Sequence, residues 1–432
     1  MNGEQRVLIV SYYWPPAGGP GVQRWLKFVK YLPQLGWKPT VFIPENPSYP
    51  IVDETLQKEV SPDLEVIKTK IWEPYQIAEF FGKSNKKFKA GQFDVAENQS
   101  WKSKLSIWVR GNFFIPDARV LWVKPSVKKI GKLFAEKKFE VLVTTGPPHS
   151  LHLIGLRLKE KFPDLKWVAD FRDPWTEISY YKHLKLTKNS DQKHQKLEKE
   201  VFENADVTLA TSYTDAENFR RKGANAFCIT NGFDGEIKLN STITEKFTIS
   251  YIGVLEQLRN PDLLWGVLNE IIAENEIFKQ NFKLKFAGRV DDKILAKIYD
   301  SSLKKHVENL GYLSHQEANE AMQSSDLLLL ANFPNVESKG IIPGKIFEYL
   351  ASGNQILSFG PENGDVEKIL DETKSGKHFS YQDQAKLKEY LLAQFENWTS
   401  HKKPTGNREL ERFSRKHLTG ELVKILNQLI SK

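Results

Sequence analysis

A single cysteine, Cys228, occurs in 432 residues. That excludes an intrachain disulfide and a cysteine-based zinc site, and it suits a reducing compartment. No apolar run approaches the ~20 residues needed to span a bilayer. Short-period repeats and low-complexity tracts are also missing. The amino-terminal residues pass from Gln5-Arg6 into the short run Val7-Leu8-Ile9-Val10 and then into Tyr, Trp and Pro. A secretory signal would need a longer apolar core, so the expectation is a cytoplasmic protein. What the sequence does have is length and charge. Its 432 residues exceed one ordinary domain and suit two or three. With 40% hydrophobic and 27% charged residues it can bury real cores and is neither disordered nor collagen-like. Lys and Arg exceed Asp and Glu by 62 to 54, a net charge of +8. Such a surplus points to an anionic partner: a phosphorylated substrate, a membrane surface or nucleic acid.

The first forty residues read strand, loop, helix, strand. After Val7–Val10, the stretch 11–21 is full of proline and glycine and cannot be helical. Trp25, Phe28, Val29, Leu32 and Leu35 then recur at helical spacing, Gly36 ends the helix, and Thr40–Ile43 begins the next strand. This is a β-α-β unit with a glycine-rich first turn, the start of a doubly wound sheet. Val141–Thr144 and Trp167–Asp170 read as later strands, with a helix over Leu151–Lys161 between them. A second α/β series begins near residue 247. Its strands are expected at Thr248–Gly253, Leu284–Gly288, Leu327–Ala331 and Gln355–Phe359. Its helices are expected at Asp262–Glu274, Asp291–Lys305, Ser314–Ser324 and Gly344–Ser352, the third opening on a Ser-x-x-Glu capping box. Alternation of this kind specifies parallel sheets. The fold class is therefore α/β, with two Rossmann-like domains; two such domains facing each other would form a cleft with a site on each wall. The domains are expected over residues 1–235 and 236–404. Residues 405–432 form an amphipathic helical tail marked by Leu418, Leu422, Ile425, Leu426 and Leu429, expected to pack back on the first domain.

Ligands of open α/β sheets bind at the carboxyl ends of the strands, so the residues just after each strand carry the information. Gly18-Gly19-Pro20-Gly21 leads into a helix and is either an anion-holding loop or a tight turn. It is not a dinucleotide fingerprint, because Pro20 and Val22 break that spacing. His149, in Thr144–Ser150, either bonds a substrate hydroxyl or caps the helix that starts near Ser150. In Asp170-Phe-Arg172-Asp173-Pro-Trp175 two carboxylates flank an arginine. They either orient hydroxyls or a phosphate, or form a buried ion-pair network. Pro343-Gly344-Lys345-Ile-Phe-Glu348-Tyr349 prepares a helix start whose N–H groups can face a phosphate. Lys345 and Glu348 share a face of its first turn, where the carboxylate can accept from two ribose hydroxyls while the lysine and helix start hold a diphosphate. The alternative is a surface ion pair worth ~0.2–0.5 kcal/mol.

Taken in order, these segments resemble glycosyltransferases of the GT-B fold, in particular the retaining family 4 enzymes. Thr230-Asn-Gly-Phe-Asp234, Tyr251-Ile-Gly-Val254 with Arg259-Asn-Pro, and Phe286-Ala-Gly288 add to the likeness, which runs through most of the chain. The resemblance implies a donor nucleotide held mainly by the second domain and an acceptor met mainly by the first. Glu348 matches the later glutamate of the family's two-glutamate motif, which usually binds the ribose. Gly340 stands where the pattern has the earlier glutamate, and Glu337 is out of register. Of the family's basic pair after the first strand of the second domain, Arg259 matches the later member and Val254 replaces the earlier, with Lys345 as the compensating charge. His149 sits where the family has a histidine near the donor sugar. The resemblance thus implies His149 and Asp170 as catalytic candidates. Gly19, Arg259, Gly344, Lys345 and Glu348 are the donor-binding candidates, and Arg172 and Asp173 meet the acceptor or organise its loop. It implies transfer with retention and no required metal, the nucleotide sugar being co-substrate and no other cofactor being needed. No Asp-x-Asp follows a strand, and Asp291-Asp292 reads as a helix cap. An epimerase of the same fold, or a non-catalytic nucleotide-sugar-binding protein, is the alternative.

Residues 83–138 hold fourteen basic and four acidic residues, with Trp101, Trp108, Phe113, Phe114 and Trp122 interleaved. Basic amphipathic stretches with tryptophan suit an anionic membrane interface, at ~1 kcal/mol per basic residue near the surface. A solvated helix face, an aromatic core or a patch for an anionic glycan would use the same residues. The expected partners are therefore a nucleotide-sugar donor, a glycan or lipid-linked acceptor and an anionic membrane surface, with the protein peripheral on the inner face of the cell membrane. Nucleic acid is not expected, since none of its usual recognition motifs is present.

Overall fold

The structure, a computed structural model, describes residues 4–73, 101–178, 181–237, 244–402 and 409–431. The chain divides into two units: Met1–Asn231 together with Arg415–Lys432, and Gly232–Ser414.

The strands of the first unit are β1 (Gln5–Val10), β2 (Trp37–Pro44), β3 (Glu65–Thr69), β4 (Val141–Gly146), β5 (Lys166–Phe171), β6 (Val207–Ala210) and β7 (Ala226–Cys228). They form one parallel sheet in the order β3-β2-β1-β4-β5-β6-β7. The central strands are continuous apolar runs because both faces of the sheet are covered. Successive side chains point to opposite faces. Leu8, Val10 and Leu142 pack with Ile130, Ile154 and Phe202 on one side. Val7, Ile9 and Val143 pack with Trp25, Phe28 and Leu422 on the other. The helix after the glycine loop runs over Pro20–Tyr31 and tightens into a 3-10 turn at Leu32–Leu35. A single helix to Leu35 was expected. Pro33 has no N–H to continue the α ladder, so the chain closes with the tighter turn, and Gly36 ends it at φ 83°.

The terminal helix, Arg415–Ile430, belongs to this first unit. Its residues Leu418, Leu422, Leu426 and Leu429 are buried in the cluster that holds Trp25, Phe28 and Trp37. Trp37 Nε1 donates to Asn427 Oδ1 at 3.1 Å. Each such leucine contributes ~1.5–3 kcal/mol of burial.

The second unit contains β8 (Phe247–Ile252), β9 (Phe282–Ala287), β10 (Val307–Asn309), β11 (Leu327–Ala331), β12 (Gln355–Phe359) and β13 (Gly376–Phe379), all parallel in the order β10-β9-β8-β11-β12-β13. The Asp262–Glu274 helix has the bounds read from its periodicity. The expected helix over 291–305 is instead two pieces, Asp292–Tyr299 and a 3-10 turn Ser302–His306. Ser301 accounts for the break: its hydroxyl accepts from Leu303 N at 3.2 Å and starts the new turn. The capping box is formed, with Ser314 N bonded to Glu317 Oε2 at 2.8 Å and Glu317 N to Ser314 Oγ at 3.3 Å.

In each sheet the first strand lies inside, with the second strand on one side and a later strand on the other. The direction of winding therefore reverses between β1 and β4, and again between β8 and β11. Loops leaving the carboxyl ends at such a reversal splay apart and leave a crevice. No helix among the described residues is long and apolar enough to cross a membrane.

Candidate functional site

In the first unit the loops after β1, β4 and β5 meet at the carboxyl edge. Gly19 caps the Pro20–Tyr31 helix with φ 98° and no side-chain cap. Two residues on, a Cβ at Gly21 would lie 1.9 Å from Arg172 Nη1, so only glycine lets that guanidinium rest against the helix start. Arg172 is held from the other side by the β4 loop. Its Nε donates to Gly146 O at 3.4 Å, its Nη2 donates to Pro147 O, and its guanidinium lies 5.8 Å from the Tyr13 ring centre.

Asp170 lies beneath this edge and is fully buried. Its Oδ1 accepts from Arg24 Nη2 at 2.9 Å and Nε at 3.1 Å. Its Oδ2 accepts from Trp25 Nε1 at 2.6 Å and Thr145 Oγ1 at 2.9 Å. Arg24, also fully buried, donates onward to Ile229 O at 2.8 Å and Thr230 O at 3.1 Å. This pair ties β5, the glycine-loop helix and the segment after β7 together. Removing either charge would strand the other in a site with no water to receive it.

His149 is 6% exposed, and neither ring nitrogen has a hydrogen-bond partner in normal geometry. It does not cap the Ser150–Lys161 helix. Asp117 does so, accepting from Ser150 N at 2.9 Å and Ser150 Oγ at 2.8 Å. The His149 ring stacks on Trp175 at 5.2 Å and 6°, with Phe171 at 5.5 Å. Burial, and then the charges of His152 and Arg172, push its pKa well below the usual histidine range. The imidazole is therefore neutral near pH 7 and offers one donor and one acceptor. It faces a cavity of about 270 Å³ lined also by Tyr13, Arg110, Arg119, Asp173 and Tyr181. His152, one turn on, bonds Thr144 Oγ1 through Nδ1 at 3.0 Å and stacks on Phe171. Its pKa is held down to about 3 by burial and then by Arg172. A larger cavity of about 530 Å³ lies at the opposite edge, near Glu4 and Trp37, where the strands begin. It holds none of the candidate residues.

In the second unit the Lys345–Ser352 helix is tied to the end of β8. Lys345 Nζ donates to Ile252 O at 2.9 Å and to Tyr251 OH at 3.1 Å, and sits 4.2 Å from the Tyr251 ring centre. One turn later the Tyr349 hydroxyl accepts from Ile252 N at 3.1 Å. The strand end beyond is a glycine turn. Gly253 N donates to Ala287 O at 2.7 Å, and a Cβ at Gly288, φ 114°, would meet Gly253 O at 2.3 Å. Arg259 follows in the same loop, bonded to Glu256 at 2.9 Å and lying over the Phe333 ring. Burial, and then the Arg259 charge, push the Lys345 ammonium down to about 7, with Glu348 acting the other way. Glu348 is exposed in the first turn of the helix, and Gly344 at its cap is exposed as well.

The structure thus brings Arg259, Gly344, Lys345 and Glu348 together in the second unit, and His149, Arg172 and Asp173 together with the glycine loop in the first. Gly19, grouped with the donor-binding residues from the sequence, belongs to the first unit, whereas that group's other members belong to the second. Val254 is exposed at its loop, and Glu337 is exposed in a short turn. Among the described residues no group of three or more His, Cys, Asp or Glu side chains could hold a metal ion.

Of the basic segment 83–138, residues 83–100 lie outside the described residues. The rest divides. Trp122 is fully buried, and Val127, Ile130 and Leu133 bury one face of the Val123–Glu136 helix. On the Trp101–Phe113 helix, Leu105, Trp108, Val109 and Phe113 are exposed, Phe113 to 69%. Their spacing puts them on one side of that helix.

Several site residues escaped sequence reasoning. Tyr12 OH donates to the fully buried Glu73 at 2.8 Å, and Arg119, which lines the cavity of about 270 Å³, pairs with Glu73 at 3.1 Å. Tyr251, Tyr349, Arg24 and His194 also went unassigned. Tyr251 and Tyr349 stand inside segments that carry the resemblance but are given no role of their own by it, and Arg24 and His194 have no local pattern that separates them from ordinary core residues.

Two parallel-sheet α/β units closed by a carboxyl-terminal helix are the GT-B fold expected from the sequence. Sucrose-phosphate synthase from Thermosynechococcus elongatus superposes with a TM-score of 0.59 at 14% identity, over 99% of each chain. TarM gives 0.60 at 9% identity, over 100% of this chain and 99% of its own. An E. coli trehalose-6-phosphate structure bound with UDP-2-fluoro glucose gives 0.53 at 9% identity, over 98% and 99%. At such identities the likeness is one of fold. No family model matches the chain, and no curated protein matches its sequence.

Proposed function

We propose that this chain is a glycosyltransferase that moves a sugar from a nucleotide-sugar donor to a glycan or lipid-linked acceptor, in cell-surface polysaccharide synthesis. Its likeness to the retaining family 4 enzymes supports transfer with retention and without a required metal. In this reading the second unit holds the donor and the first unit meets the acceptor.

The observation that carries it is the clamp at the end of β8. Lys345 and Tyr349 fasten the Glu348 helix to the strand whose next loop carries Arg259. A carboxylate for the ribose and two cations for the diphosphate are thereby fixed on neighbouring loops at a carboxyl edge. When the sugar–oxygen bond breaks, negative charge grows on the leaving diphosphate. Arg259, Lys345 and the N–H groups at the helix start are placed to stabilise charge there. The neutral His149 positions a sugar hydroxyl, Arg172 and Asp173 organise the acceptor loop, and Asp170 acts from below by fixing that loop. The exposed row Leu105, Trp108, Val109 and Phe113, on a strongly basic segment, supports contact with the inner, anionic face of the cell membrane.

The test is thermal stabilisation of the chain by UDP, GDP, ADP and their sugars, with and without Mg²⁺. A ligand at one hundred times its dissociation constant adds about 2.7 kcal/mol. One nucleotide family should stabilise the chain, indifferently to Mg²⁺, and Glu348→Ala should abolish the effect. Stabilisation that survives Glu348→Ala would remove the donor-site assignment.

A further inference from the structure

His149 is a polar ring with no hydrogen bond in normal geometry, and the Pro174 backbone is the polar group that bears on it. Beyond that contact, its plane is set by what it lies against: Trp175 at 5.2 Å and 6°, Phe171 at 5.5 Å and 32°, and His152 at 5.8 Å. The near-parallel contact with Trp175 is the one that defines a plane. An aromatic stack resists separation but tolerates sliding, since offset geometries differ little in energy. Something must therefore fix the indole.

That something is His194, on the Lys188–Asn204 helix. Trp175 Nε1 donates to His194 Nδ1 at 3.0 Å, and both side chains are buried, at 3% and 1% exposure. Accepting at Nδ1 puts the proton of neutral His194 on Nε2, which faces Gly111 O at 3.5 Å on the Trp101–Phe113 helix. Burial pushes the His194 pKa down and keeps it in that neutral state. Gly111 itself admits no side chain, because a Cβ would lie 2.8 Å from Leu186 Cδ2 and 3.0 Å from Leu184 O. A continuous line of contacts therefore runs from the helix that carries Arg110, through His194 and Trp175, to the face of His149. All four residues line the same cavity.

We propose that Trp175 and His194 are positioning residues that fix the plane of the His149 ring against the cavity. They hold it at a set separation from the Arg110 wall, so that the donor and acceptor positions of His149 meet a ligand hydroxyl without reorganising. The consequence for turnover rests on the glycosyltransferase reading, whereas the geometry does not.

The experiment uses the full chain in four variants: Trp175→Phe, His194→Leu, His194→Asn, and Trp175→Phe with His194→Leu. In nitrogen-15 spectra the His149 ring signals are identified by their loss in His149→Ala. His194→Leu should move them. His194→Asn, whose amide oxygen stands where Nδ1 stood, should leave them in place. Trp175→Phe keeps an aromatic face but removes the N–H, and should move them as His194→Leu does, which covers the case of a leucine variant that does not fold. With the nucleotide sugar selected by the stabilisation panel, His194→Leu should lower kcat about tenfold while donor KM stays within about twofold. His194→Asn should recover kcat to within about threefold, and the double variant should be no slower than Trp175→Phe alone. His149 signals unmoved in both His194→Leu and Trp175→Phe, or an equal fall of kcat in His194→Leu and His194→Asn, would overturn the proposal. A chain that binds and turns over no nucleotide sugar fails the glycosyltransferase reading instead, and the His149 signals still decide the positioning.

Discussion

A nucleotide-sugar titration carried out between pH 6 and pH 9 should show affinity falling as Lys345 loses its proton. The ammonium is pushed down to about 7 by burial and by Arg259, against the opposing pull of Glu348. A diphosphate placed beside it favours the charged form and raises the pKa in the complex. Affinity is then complete below the pKa of the unliganded protein and declines above it. The protonated fraction falls from about nine-tenths at pH 6 to about one-tenth at pH 8, an affinity loss of about tenfold, or about 1.4 kcal/mol. Loss continues at about tenfold per unit until the pKa of the complex is reached. Tyr251, against which the amine packs, is pushed up to about 12 and does not titrate in this window. The ligand should be the nucleotide sugar and not the nucleoside diphosphate, because a terminal phosphate has its own ionisation near pH 6. Isothermal titration of the parent chain and of Lys345→Arg supplies the comparison. Arginine stays charged throughout, so its affinity should be flat across the range. An affinity independent of pH in the parent, or the same decline in both proteins, would refute the reasoning and take Lys345 out of the diphosphate site.

Acid should destabilise the first unit by a different route. His149 and His152 are held neutral by burial, whereas the unfolded chain binds protons on both near pH 6.5. Their contribution is complete above pH 7 and is lost as pH falls, by about 1.4 kcal/mol per histidine between pH 7.5 and 5.5. Denaturation midpoints at the two pH values should show it, with His152→Asn recovering about half. Asp170→Asn should cost about 3–5 kcal/mol by stranding Arg24, and Arg24→Met with Asp170→Leu should cost less than the sum of the single changes. A loss below about 1 kcal/mol in urea unfolding of Asp170→Asn would contradict the buried pairing. Gly21→Ala should drive the Arg172 guanidinium off the helix start at a cost of no more than about 1 kcal/mol, because a flexible side-chain end gives way, and should cost less still in an Arg172→Ala background. An equal cost in both backgrounds would show that Arg172 is not what the new methyl meets.

Much of the architecture was legible because it is written in short-range pattern. Leu327–Ala331, Gln355–Phe359 and Asp262–Glu274 occur with the bounds read from their periodicity. Ser314 and Glu317 announce their helix through a reciprocal bond that spans only three residues. The strands Ala226–Cys228, Val307–Asn309 and Gly376–Phe379 were not legible, because three or four residues at or near a sheet edge establish no period. In the candidate site the residue types that follow the strands could be read, but not their engagements. Asp170 finds Arg24 across 146 positions, and Lys345 finds Ile252 across 93. Such partners are brought together by sheet order, which no local window encodes. Trp175 stands in the Asp170–Trp175 motif, yet its partner His194 lies 19 positions on, on the Lys188–Asn204 helix, which has no motif of its own.

The placement of the Arg415–Ile430 helix has a consequence for how the molecule is made. Leu418, Leu422 and Leu426 complete an apolar face that Trp25, Phe28 and Trp37 begin. The ribosome delivers those aromatic residues early and the leucines only after all of Gly232–Ser414 has emerged. Throughout that interval the tryptophan-rich face of the first unit lacks the leucines that cover it, whereas the residues of the second unit are contiguous in sequence. The first unit therefore cannot complete this face until the last-made segment of the chain is available to it.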